Sequence, residues 1–110
     1  SDEGKVAGLS KAEASSQGIK SGRESAVWII KMLKTKREGD DCNKLMKKAG
    51  LKTEADLRRY IIANHPDKVK NYDPNSAAAN LYKELLNCST VYKNIKGYLQ
   101  DGLIKGFKGL

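Results

Sequence analysis

From Ala78 through Leu81, Leu85, Cys88 and Tyr92 to Ile95, apolar side chains recur three or four residues apart, the spacing that lines one face of an α-helix. A strand would instead alternate sides at every residue. No stretch of this chain alternates in that way, no hairpin dipeptide or Gly-rich phosphate loop follows a strand, and no internal repeat is visible. The expected architecture is therefore all-α. With 110 residues, of which 39% are hydrophobic, the chain suffices for one small core and not for two. Lysine and glycine interrupt every apolar run well short of the ~20 positions that cross a membrane, so no membrane span is expected.

Residues 1–23 read as a polar tail of Ser, Gly, Ala, Lys and Glu, with too little apolar surface to offset the entropy of ordering it; alone it is expected to be flexible. Its first residues carry acids and no apolar stretch, so no secretory signal is expected there and the default address is intracellular, cytoplasm or nucleus. An amphipathic helix is expected over 24–39, with Ala26, Ile29, Ile30 and Leu33 as its core face and Val27, Trp28 and Met32 beside it. The excess of apolar groups there suits contact with another chain. Gly39-Asp40-Asp41 reads as a break, followed by a short capped helix from Cys42 to Ala49 that Gly50 ends. Residues 40–96 make the helical domain, and 97–110 a Gly-rich apolar and basic segment ordered by contact.

Thr53-Glu54-Ala55-Asp56 has the form in which a hydroxyl and a carboxylate satisfy the orphan amides at a helix start. The helix begun there has Leu57, Tyr60 and Ile61 on its apolar face and ends near Asn64, because Pro66 keeps His65 out of the α region. A polar surface connection follows, and the next helix starts at Asp73-Pro74 or at Ser76. Between the two helices stands His65-Pro66-Asp67-Lys68.

This arrangement resembles the J-domain of the DnaJ-like co-chaperones, in which a His-Pro-Asp tripeptide joins two antiparallel helices. The likeness covers about residues 42–95: Ala49-Gly50-Leu51 closing a short helix, Leu57-Arg58-Arg59-Tyr60-Ile61-Ile62 before the tripeptide, and Leu81-Tyr82-Lys83-Glu84-Leu85 after it. The resemblance implies a shortened, divergent J-like hairpin that docks on a heat-shock ATPase chaperone and stimulates its ATP hydrolysis. His65, Pro66, Asp67 and Lys68 would carry the signal, with Arg58 and Arg59 in the docking face. No metal, cofactor or catalytic residue is implied.

The net charge of +8 favours anionic partners. Residues 1–40 hold eight basic and six acidic side chains, and residues 41–110 thirteen and seven, so the surplus belongs mainly to the C-terminal two-thirds. Lys44, Lys47, Lys48 and Lys52 form a candidate basic patch that suits non-specific contact with nucleic acid. Cys42 and Cys88, far apart in a chain with one histidine, form neither a disulfide framework nor a zinc set, and both thiols are read as free. Three readings follow: a non-enzymatic co-chaperone, a small structural subunit packed against its neighbours in a large assembly such as a virion, and a basic nucleic-acid accessory protein.

Overall fold

The computed structural model describes residues 22–109, so the expected tail, apart from Gly22 and Arg23, lies outside the described residues. Within them the chain is helical: α1 (Gly22–Lys48), α2 (Glu54–Ala63), a single 3-10 turn (Pro66–Lys68) and α3 (Ala77–Gln100), with no strand among the described residues. Both α1 and α2 pack on α3. Leu85 and Ile95 at the centre are fully shielded, and Tyr92 and Leu57 nearly so.

The expected break at Gly39-Asp40-Asp41 does not occur: α1 runs unbroken through it. A mid-helix glycine costs about 1 kcal/mol relative to alanine, and packing offsets that here. A Cβ on Gly39 would collide with Cδ1 of Ile95 and stand 2.8 Å from the Phe107 ring. The missing side chain is what lets α3 and the C-terminal segment close on α1, while Asp40 and Asp41 stay in solvent.

The core face of α1 is also corrected. Met32, Thr35, Gly39, Cys42 and Met46 are buried, whereas Ala26, Ile30 and Leu33 are exposed and Ile29 is half-buried. The buried set repeats at three and four residues, but a threonine and a glycine occupy two of its places. Thr35 is accommodated because its hydroxyl donates to the Lys31 carbonyl, 3.0 Å away.

The two cysteines are not free. Cys42 of α1 and Cys88 of α3 form a disulfide, with Cα atoms 5.6 Å apart, inside the core. Distance along the chain concealed a pair that antiparallel packing makes adjacent. With each sulfur bonded to the other, neither is a thiolate nucleophile or metal ligand.

Helix α3 starts at Ser76, whose hydroxyl accepts from the Ala79 amide at 3.1 Å and itself donates to the Asp73 carbonyl at 2.8 Å. Its inner face begins one residue later than the spacing predicts: Ala79 and Tyr82 are buried, Ala78 is exposed and Leu81 half-buried. From Leu85 onward the expected seam is the observed one, with Val91 added. Gly97 does not stop the helix, which continues to Gln100.

Residues 101–109 fold back as an irregular strap along α1. The Lys108 carbonyl accepts from Asn43 Nδ2 at 2.7 Å, the Lys105 carbonyl accepts from Lys36 Nζ at 3.3 Å, and the Phe107 ring lies 6.3 Å from that of Tyr92. Asn43 is the hinge of this contact, for its Oδ1 accepts the Tyr92 hydroxyl at 2.7 Å. Burial first, and the Glu54 carboxylate second, push the Tyr92 phenol up from 10.0 to about 12. Its contribution to stability is therefore complete below the unfolded pKa near 10 and lost as pH rises toward 12. A thermal-melt series across that window should fall less steeply for Tyr92→Phe than for the natural protein; parallel curves would count against the assignment.

Candidate functional site

The site is built from the start of α2. Thr53 caps it by accepting from the Asp56 amide at 3.1 Å, and Asp56 Oδ2 accepts from the backbone N–H groups of Thr53 at 3.1 Å and Lys52 at 2.9 Å. Asp56 Oδ1 accepts from Arg59 Nη2 at 2.5 Å. The Lys52 amide and then the Arg59 guanidinium hold the Asp56 carboxyl below its usual range. Arg59 is thereby oriented by its own helix, while Arg58 is exposed and meets no carboxylate within 4.0 Å among the described residues.

At its other end α2 stops where the sequence predicts. The Tyr60 carbonyl accepts from both the backbone N–H of Asn64 (3.0 Å) and its Nδ2 (2.9 Å), which closes the last turn. His65 adopts φ −55° and ψ 137°, the extended geometry that a following proline enforces. The chain then makes one tight turn, with the Lys68 amide donating to the His65 carbonyl at 2.8 Å.

In that turn the His65 Nδ1 accepts from the Asp67 amide at 3.2 Å. An accepting Nδ1 places the proton of a neutral imidazole on Nε2, leaving that atom as a donor. The Asp67 carboxylate stands 3.6 Å from Nδ1, with its side chain 90% exposed and that of His65 50% exposed. The inner edge of the imidazole meets Tyr82 of α3 edge-on, ring centres 6.4 Å apart, and Tyr82 in turn packs on Tyr60 at 6.4 Å. The histidine is thus braced from behind by both helices while its carboxylate neighbour faces outward. Pro66 is half-buried and Lys68 exposed.

Pairings at the two ends fix the direction of the helices. Glu54 at the start of α2 is ion-paired with Lys96 near the end of α3, and Tyr60 near the end of α2 meets Tyr82 near the start of α3. The two helices are therefore antiparallel, with His65-Pro66-Asp67-Lys68 at the bend. Beneath the bend lies a cleft of about 370 Å³ bounded by Tyr60, Val69, Tyr72, Asp73 and Tyr82. Ile62, four residues after Arg58 and 60% exposed, adds an apolar group to the outer face of α2. The spacing that puts Leu57, Tyr60 and Ile61 on the apolar face leaves Ile62 off it, in agreement with its exposure.

The four lysines of the candidate basic patch are all exposed but fall into two groups. Lys44 and Lys48 border the cleft beside the disulfide, interleaved with the acidic Glu38, Asp41 and Glu84. Lys47 and Lys52 border another cleft, with Lys108 of the strap. Among the described residues no group of three or more His, Cys, Asp or Glu side chains is placed to hold a metal ion, and no helix there is long and apolar enough to cross a membrane. No family model matches the chain, and neither does any curated protein or solved structure.

Proposed function

We propose that this chain is a non-enzymatic interaction module in which α2, the His65-Pro66-Asp67 turn and α3 form a shortened J-like hairpin that docks on a heat-shock ATPase chaperone. The observation that carries the reading is the outward turn: an exposed Asp67 carboxylate beside the half-exposed His65 imidazole, which rests on Tyr82 at the bend of two antiparallel helices. A partner arginine is the fitting ligand for Asp67, since charge-assisted bonds to a carboxylate are the strong ones. Arg58 and the Asp56-oriented Arg59, one to two turns back along α2, supply the attraction to an acidic face. Docking brings no bond-making by this chain; the ATPase performs the chemistry.

The test is chaperone ATPase stimulation by the intact protein. His65→Gln and Asp67→Asn should each abolish it while leaving the circular dichroism spectrum unchanged; the melting temperature should hold for Asp67→Asn, whose side chain is 90% exposed, and fall only slightly for His65→Gln, which gives up the contact with Tyr82. Absence of stimulation by the unaltered protein, or retention of it by both variants, would dispose of the reading.

A second reading, a structural subunit of a large assembly such as a virion, is favoured by the disulfide. Disulfides persist outside the reducing cytosol, and a small helical body stapled through its core suits a packing piece. Co-sedimentation of the protein with a particle, unaffected by Asp67→Asn, would support it over the first; a monomer recovered apart from any particle would remove it.

A further inference from the structure

Helix α1 has a second apolar face that is exposed among the described residues. Ala26, Ile30, Leu33 and Arg37 follow one another at four, three and four residues, the spacing of a helix-pairing seam, with Val27 beside them. Val27, Ile30 and Leu33 are 64%, 66% and 58% exposed, more than most large apolar groups on this small surface. The opposite face of the same turns carries Trp28 and Met32 and is taken up by α3, where the Trp28 ring meets Tyr98 edge-on at 6.0 Å.

The charges around the seam say what fits it. Between Ala26 and Arg37 there are four cations, Lys31, Lys34, Lys36 and Arg37, and no acid. Lys36 is tied to the strap and Lys31 Nζ lies over the Trp28 ring, 5.5 Å from its centre, which leaves Lys34 and Arg37 in solvent along the seam. Pairing with a second copy would set these cations against their equals. An anionic membrane surface selects a broad apolar face with its aromatic groups outward. Here the one aromatic residue of these turns, Trp28, is turned inward onto Tyr98.

We propose that the outer face of α1, from Ala26 to Arg37, is a docking site for an amphipathic helix of another protein whose apolar stripe is flanked by Glu or Asp. Ile30 and Leu33 interdigitate with the stripe, and Lys34 and Arg37 select acidic flanks and reject basic ones. The site is remote in sequence from the His65 turn and does not depend on its role.

The experiment uses the full chain and two synthetic helical peptides with the same Leu/Ile stripe, one flanked by Glu and one by Lys, read by fluorescence anisotropy at low and moderate salt. The Glu-flanked peptide should bind at least tenfold more tightly than the Lys-flanked one, with added salt narrowing the gap. Ile30→Asp, and the milder Ile30→Gln with Leu33→Gln, should remove the binding at unchanged helicity, since these side chains are solvent-facing. Equal binding of the two peptides, or Glu-peptide binding that survives both variants, overturns the proposal. So does preferential binding to phosphatidylserine vesicles, or a dimer in sedimentation that Ile30→Asp dissociates.

Discussion

Reducing the Cys42–Cys88 disulfide should lower the unfolding free energy by about 4 kcal/mol. That is the loop-closure entropy released when a cross-link spanning 46 residues is opened. For a domain of this size the loss is a large fraction of the total stability. Few other contacts replace the link: apart from packing, α1 is held to α3 by the Tyr92–Asn43 hydrogen bond, and α2 to α3 by the Glu54–Lys96 ion pair. Urea titrations of oxidised protein, of protein in a phosphine reductant and of the Cys42→Ala/Cys88→Ala variant should give one high midpoint and two low ones. Two titratable thiols in the native, non-reduced protein, or coincident midpoints for all three samples, would refute this.

The second large effect is expected at Gly39. Gly39→Val places a branched side chain where even a Cβ would run into Ile95 Cδ1 and the Phe107 ring. Valine recovers only part of the helix propensity that glycine lacks, while overpacking of a filled core costs about 1–3 kcal/mol. The net result is a destabilisation of about 2 kcal/mol, relieved chiefly by the strap, because Phe107 is only half-buried and Ile95 is locked in the core. Trypsin should then cut at Lys105 and Lys108 faster than in the natural protein, with cleavage inside α3 little changed. A variant as stable as the original and equally resistant at those lysines would show that Gly39 is not a packing requirement.

These two positions also mark how far the sequence could be read. Helix α2 was legible to the residue because its signals are local: the Thr53/Asp56 box at one end and Pro66 at the other. The stop of that helix ahead of Pro66 was legible for the same reason. What escaped depends on residues brought together from afar. The inner face of α1 passes through Thr35 and Gly39, which carry no hydrophobic signal, so the spacing puts Ile30 and Leu33 in the core when they belong to the surface, and Ile29 is only half-buried. Gly39 reads locally as a helix breaker and in fact leaves the room that Ile95 of α3 and the Phe107 ring occupy. The cysteine pairing was hidden by chain distance, and the basic residues, contiguous on paper, separate because α1 turns Lys44 and Lys47 toward different clefts.

The position of the covalent bridge has a mechanical consequence. A pull on the two ends of the chain would pass from Cys42 to Cys88 through sulfur, bypassing all of residues 43–87. Helix α2 and the His65 turn sit inside that untensioned loop. Stretching the molecule would peel away the first turns of α1 and the strap and leave the tripeptide at its bend under no load.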